Sequence, residues 1–118
     1  MKGSQDILNT IFKALDDKKG KDIRVINISE ITTISSYFVV ASGTSVPHIK
    51  ALADNVKEKL SEISVYPLKI EGYNSARWIL LDYNDIVIHI FHQEDREYYE
   101  LERLWQDGEE IFIDTEAN

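Results

Sequence analysis

The chain contains no cysteine, which excludes a disulfide framework and a thiolate nucleophile and fits a reducing compartment. It also lacks any long apolar run. The opening MKGSQDILNTIFKAL breaks its aliphatic residues with Gln, Asp, Asn and Lys, so no signal-peptide core is present, and nothing later is long enough to span a bilayer. A cytoplasmic protein without membrane contact is the expectation. Positive charge is scarce too: 13 Lys/Arg stand against 21 Asp/Glu, for a formal net charge of −8. Nucleic-acid affinity comes mainly from cations neutralising phosphates, so DNA is not an expected partner.

The imbalance is local. Residues 1–92 hold eleven acids and eleven bases, whereas residues 93–118 hold ten acids and two bases. An acidic end suits a basic protein partner, with charge steering the encounter. The last dozen residues read instead as a solvated acidic tail, 107–118, following a single domain over 1–106. A chain of 118 residues can build a hydrophobic core unaided.

What the sequence does have is organised around residues 76–91, ARWILLDYNDIVIHIF. Two apolar, β-branched runs flank a polar turn at Tyr83-Asn84 or Asn84-Asp85, the signal of a β-hairpin. Either turn gives the same side-chain parity. Ile79, Leu81, Ile86, Ile88 and Ile90 share one face, purely aliphatic, which reads as core. Trp78, Leu80, Asp82, Val87, His89 and Phe91 share the other. That mixed face suits a surface that meets something else.

Before the hairpin, Ile7, Leu8, Ile11, Phe12 and Leu15 recur at helical spacing behind a Ser4 cap, and Gly20 stops the helix. Residues 22–28 (DIRVINI) and 37–42 (YFVVAS) read as strands, the second as a central one covered on both faces. Gly43-Thr44-Ser45 turns into a second helix, capped by Ser45 with Pro47 in its first turn. Residues 67–71 (PLKIE) read as a short strand that starts at Pro67 or lies at an edge. Together these predict an α/β (α+β) domain: a mixed sheet of about five strands with flanking helices. After Phe91, HQEDREYYELERLW reads as an acidic segment with Tyr98, Leu101, Leu104 and Trp105 on one side, and Ile111 to Ile113 as a final apolar contact.

Chemistry is hard to find in this pattern. The Gly43–Ser45 turn could cradle an anion, but it lacks the Gly-Lys-Ser/Thr of a P-loop and reads better as a capped strand-to-helix turn. A nucleotidyltransferase would need two carboxylates spaced to hold Mg²⁺, whereas Asp54 lies on a wet helix face and Asp82 and Asp85 straddle a turn. His89 and His92 tend to opposite faces and would not share a metal. His89 reads as a hydrogen-bonding residue beside Trp78, and His48 as a surface or capping residue. No catalytic residue, metal ligand or cofactor site is expected. Trp78 reads equally as an interface or a core residue; Trp105 reads more as core.

A series of ordered motifs carries a resemblance. SGTS followed by His48 and Ala53-Asp54, Glu71-Gly72 with Ala76 and Trp78, then Asp82, Asp85 and Val87-Ile88-His89, and finally Arg96 with YELERLW over 99–105, resemble the ribosomal silencing factors, the Iojap-like family. The resemblance runs from about Asp6 to Trp105. It implies a nucleotidyltransferase-like fold without its catalytic metal site. It also implies a factor that binds the large ribosomal subunit through that subunit's protein fourteen and sterically blocks joining of the small subunit, repressing translation under nutrient limitation. Trp78, Asp82, His89, Arg96, Tyr99, Glu100, Leu101, Glu102 and Trp105 would then bind the partner. A homodimer of the free protein stays open. The chain departs from the family pattern at Ser36, Pro47 and Asn84; Asn tolerates positive φ, so the hairpin survives. Two other functions compete: a small Mg²⁺-dependent nucleotidyltransferase using the Gly43–Ser45 turn, and a generic acidic adaptor for another basic protein.

Overall fold

The computed structural model describes residues 3–30, 33, 35–95 and 109–111, the last three as backbone. The first helix, α1 (Ser4–Asp17), buries Leu8, Ile11 and Leu15 of the expected stripe together with Ala14, while Ile7 and Phe12 are partly buried against the same core. Its cap differs from expectation. Gly3 is the N-cap, because the ladder begins with Ile7 N–H donating to the Gly3 carbonyl at 3.1 Å, and glycine has no side chain with which to make a cap bond. At the other end Lys19 N–H donates to Asp16 O and Gly20 N–H to Leu15 O, closing the last turn. Lys19, at φ 62°, takes the left-handed position there, and Gly20 follows it.

Six strands follow the helix into one sheet. They are β1 (Lys21–Asn27), β2 (Tyr37–Gly43), β3 (Lys69–Glu71), β4 (Trp78–Asp82), β5 (Ile86–His92) and β6 (Glu109–Ile111), in spatial order β3-β4-β5-β2-β1-β6. Among the described residues only β2 and β5 run parallel; the other four pairings are antiparallel. The mixed sheet and the central place of β2 agree with the sequence reading, as does β3 at an edge just after Pro67.

The sixth strand was not expected. Glu109, Glu110 and Ile111 pair with Asn27, Ile26 and Val25 of β1, so the stretch assigned to a solvated tail contributes a strand to the sheet. Acidic composition suggested solvation, but it does not prevent backbone pairing along an open strand edge. Ile31 and Ile34 of the connection after β1 lie outside the described residues.

The second helix, α2 (Val46–Glu62), starts as read: Ser45 Oγ accepts from His48 N–H at 3.2 Å, and Pro47 sits where a missing N–H costs little. α2 buries Ile49, Leu52, Ala53, Val56 and Leu60. These residues join those of α1 and the aliphatic strand face (Val25, Val39, Ala41, Ile79, Leu81, Ile86, Ile88, Ile90) in one core. Each fully buried Leu or Ile contributes roughly 1.5–3 kcal/mol. Asn55 is the polar exception: its buried Nδ2 donates to the Ala14 carbonyl at 2.8 Å and ties the two helices together. The opposite sheet face carries a second cluster of Ile26, Ile28, Val40 and Phe91, with Phe38 and Trp78 packed against it. Among the described residues no helix contributes to that cluster.

Candidate functional site

The hairpin closes through the second of the two turns considered. Asp82 pairs with Val87, and Tyr83 N–H donates to Ile86 O at 2.9 Å, leaving Asn84-Asp85 as the two-residue link. Asn84 adopts φ 75°, a region Asn enters at little cost, and its N–H donates to Asp82 Oδ1 at 2.8 Å. Asp82 therefore holds the turn. Tyr83 brings a less comfortable group: its hydroxyl is buried without a hydrogen-bond partner among the described residues, and burial pushes its pKa up to about 12.

Parity then aligns the mixed face. Trp78 lies opposite Phe91, Leu80 opposite His89, and Val40 of β2 flanks His89 on the other side. Trp78 is only half-buried, whereas Phe91 is fully buried and His89 is 5% exposed. The Trp78 indole N–H donates to His89 Nδ1 at 3.1 Å. Because indole can only donate, Nδ1 must be the acceptor and the ring proton sits on Nε2. That Nε2–H is buried without a partner among the described residues, and burial pulls the His89 pKa down to about 4. The rings of Phe38 and Phe91 meet His89 edge-on at 4.8 Å and stacked at 6.1 Å between centroids. The sequence reading placed Trp78 and His89 together but did not single out Phe38. Its alternation within YFVVAS was legible, but the β2–β5 register that brings it to His89 was not.

At the same end of the sheet, Arg77 Nε bonds Asp95 Oδ2 at 2.6 Å. The guanidinium holds that carboxyl below the usual carboxylate range. His92 N–H donates to Arg77 O, so the chain leaving β5 is anchored to the start of β4. Arg96, Tyr99, Glu100, Leu101, Glu102 and Trp105, the rest of the expected partner-binding set, lie outside the described residues.

The strand-to-helix turn is built for structure. Thr44 N–H donates to His48 Nδ1 at 2.9 Å, and His48 Nε2 bonds the Lys18 carbonyl at 2.8 Å. His48 thus clips the exit of α1 to the start of α2, a role beyond capping that sequence could not reveal because Lys18 is remote in the chain. Gly43 ends β2 against that turn; a Cβ there would press to 2.7 Å on Ile49 Cγ1. Among the described residues no three of His, Cys, Asp and Glu converge as a metal set, and no helix is long and apolar enough to cross a membrane.

Comparison with known proteins adds what the geometry alone does not. The whole chain, residues 1–118, matches the family model described as "Ribosomal silencing factor during starvation" (RsfS). It is 35% identical over 114 residues to the ribosomal silencing factor RsfS of Bacillus subtilis, covering 97% of each chain. It is 31% identical over 106 residues to mouse "Mitochondrial assembly of ribosomal large subunit protein 1", covering 87% of this chain and 46% of that longer one. In three dimensions it superposes on a crystal structure of a Chromobacterium violaceum protein with a TM-score of 0.85 at 38% identity, covering 89% and 88% of the two chains.

Proposed function

The chain belongs to the ribosomal silencing factor family, and from that footing we propose that it works by occupancy, docking on the large ribosomal subunit and transforming no substrate. Protein fourteen of that subunit is the partner, and the bound chain sterically keeps the small subunit from joining, lowering translation when nutrients are short. A cytoplasmic setting goes with this role.

The observation that carries the reading is the half-buried Trp78 at the margin of an aromatic strand face. One sheet face is packed by both helices; on the other, among the described residues, Trp78 packs beside Phe38 with its indole N–H bonded to His89. Large amphipathic rings fixed in place are what binding hot spots are made of. The acidic excess after residue 92 complements a basic ribosomal protein. Arg96 to Trp105 belongs to the same docking surface in this reading.

The test is co-sedimentation with isolated large subunits, followed by a joining assay with small subunits. The expected result is stoichiometric binding and a dose-dependent loss of joined ribosomes. Failure to sediment with large subunits would sink the reading. Joining that proceeds unimpeded on chain-bound subunits would sink the steric step alone.

A further inference from the structure

A recess of about 340 Å³ opens between the loop leaving α1 and the turn entering α2, lined by Lys18, Lys19, Lys21, Thr44 and His48. The three lysines are exposed, and among the described residues none of their ammonium groups has an ion pair or hydrogen bond. Nearby acids are occupied or aimed elsewhere. Asp22 pairs with Arg24 at 3.1 Å, and Asp17 lines a different hollow, between α1 and α2, with Lys13 and Lys59. Asp16 is an adjacent carboxylate with no ion-pair partner among the described residues. A chain of net charge −8 therefore gathers, at one point, three cations without an ion pair among the described residues.

The recess is preformed. His48 is held on its own wall by the Thr44 amide and reaches the Lys18 carbonyl on the other, so the two loops cannot drift apart without breaking the bond to Lys18. Its position is equally informative. Lys21 pairs with Ser42, Ser42 with Phe91, and Phe91 with Trp78, which places Lys21 and Trp78 on one row across the same end of the sheet. Three strand spacings separate them, about 14 Å. A partner seated on Trp78 and extending along that row would come within reach of Lys21.

We propose that this recess takes backbone phosphates of ribosomal RNA lying beside the protein-docking surface, so that attachment to the subunit has an RNA component as well as a protein one. The inference rests on the docking reading above. Lysine ammonium groups are point charges suited to phosphate oxygens, and a cluster of three with no partner among the described residues exchanges only water and counterions for them. Because the remaining charge of the chain is acidic, the contact positions the molecule and does not make it a general nucleic-acid binder.

The experiment compares the wild-type chain with the K18A/K19A/K21A and K18R/K19R/K21R triple variants. Binding to isolated large subunits is measured across a series of KCl concentrations, and binding to purified protein fourteen in parallel. All three positions are exposed, so melting temperatures are expected to match. The alanine variant should bind subunits more weakly at low salt, with the slope of log K against log salt shallower by about 2 units, and the arginine variant should restore the slope. Affinity for isolated protein fourteen should be unchanged. An unaltered slope on subunits overturns the proposal while leaving docking intact. A slope change reproduced with protein fourteen alone overturns it as well, by assigning the lysines to the protein partner. Wild-type chain that does not sediment with subunits overturns the docking reading and this inference together.

Discussion

The indole N–H of Trp78 and Nδ1 of His89 are joined at 3.1 Å diagonally across the β4–β5 pair. The bond joins a partly exposed ring to one almost wholly out of solvent, and it dictates which nitrogen of His89 holds the proton. The indole therefore has a defined hydrogen-bonded orientation on the aromatic face.

Acid should weaken the fold through His89. Its unfolded ring takes a proton near pH 6.5 and its folded ring only near 4, because burial disfavours the cation. Between those values the unfolded chain binds more protons, so stability falls as pH falls through the window and is constant above it. The loss attributable to this residue is on the order of 3 kcal/mol. His89→Asn keeps an acceptor for the indole without titrating, and urea unfolding at pH 7 and pH 4.5 should give a smaller drop than in wild type. Equal drops would assign the acid sensitivity to other groups.

Trp78→Ala should separate binding from folding. A half-buried ring gives up less stability than the roughly 3–5 kcal/mol of a sealed one, so the melting temperature should fall only moderately. Affinity for large subunits should fall by about 2–4 kcal/mol. Trp78→Phe keeps an aromatic ring but removes the donor to His89, and should cost about 1 kcal/mol of stability. Retention of full subunit affinity by a folded Trp78→Ala chain would remove Trp78 from the docking surface.

Tyr83→Phe should stabilise the protein or leave it unchanged. The hydroxyl is buried with no hydrogen-bond partner among the described residues, so deleting it removes a desolvated polar group and forfeits no bond. A gain of about 1 kcal/mol in chemical unfolding is expected. A clear loss would mean that the hydroxyl is bonded in solution.

Gly72→Ala should be costly. Gly72 sits at φ 78°, and a Cβ there would collide with the carbonyl oxygen of Trp78. Left-handed strain and backbone displacement together should cost at least about 2 kcal/mol. Because the displaced carbonyl belongs to Trp78, indole fluorescence should shift along with the melting temperature.

Much of this architecture is legible in the residues because strand parity and helical periodicity are local. Ile79, Leu81, Ile86, Ile88 and Ile90 had to share a face whichever turn joined them, and they do line the helix-covered core. Trp78 and His89 had to share the other face, and they bond there. What escaped depends on register or on distant partners. Phe38 reaches His89 only through the β2–β5 alignment, and the clip made by His48 ends on a carbonyl thirty residues earlier. β6 was hidden because acidic side chains advertise solvent while their backbone is free to pair. The Ser4 cap misled for a simpler reason: a good capping side chain is idle when the ladder starts one residue sooner.

The parallel ladder at the middle of the sheet sets a timetable for synthesis. Tyr37 must find Ile86, and Gly43 must find His92, so the inner strand stays without one neighbour until nearly the entire hairpin has left the exit tunnel. Until then the emerging N-terminal portion carries an apolar strand with a bare edge, the condition under which unfinished chains pair with one another. Maturation is gated by the arrival of its latest central strand, whatever the speed at which α1 and α2 form.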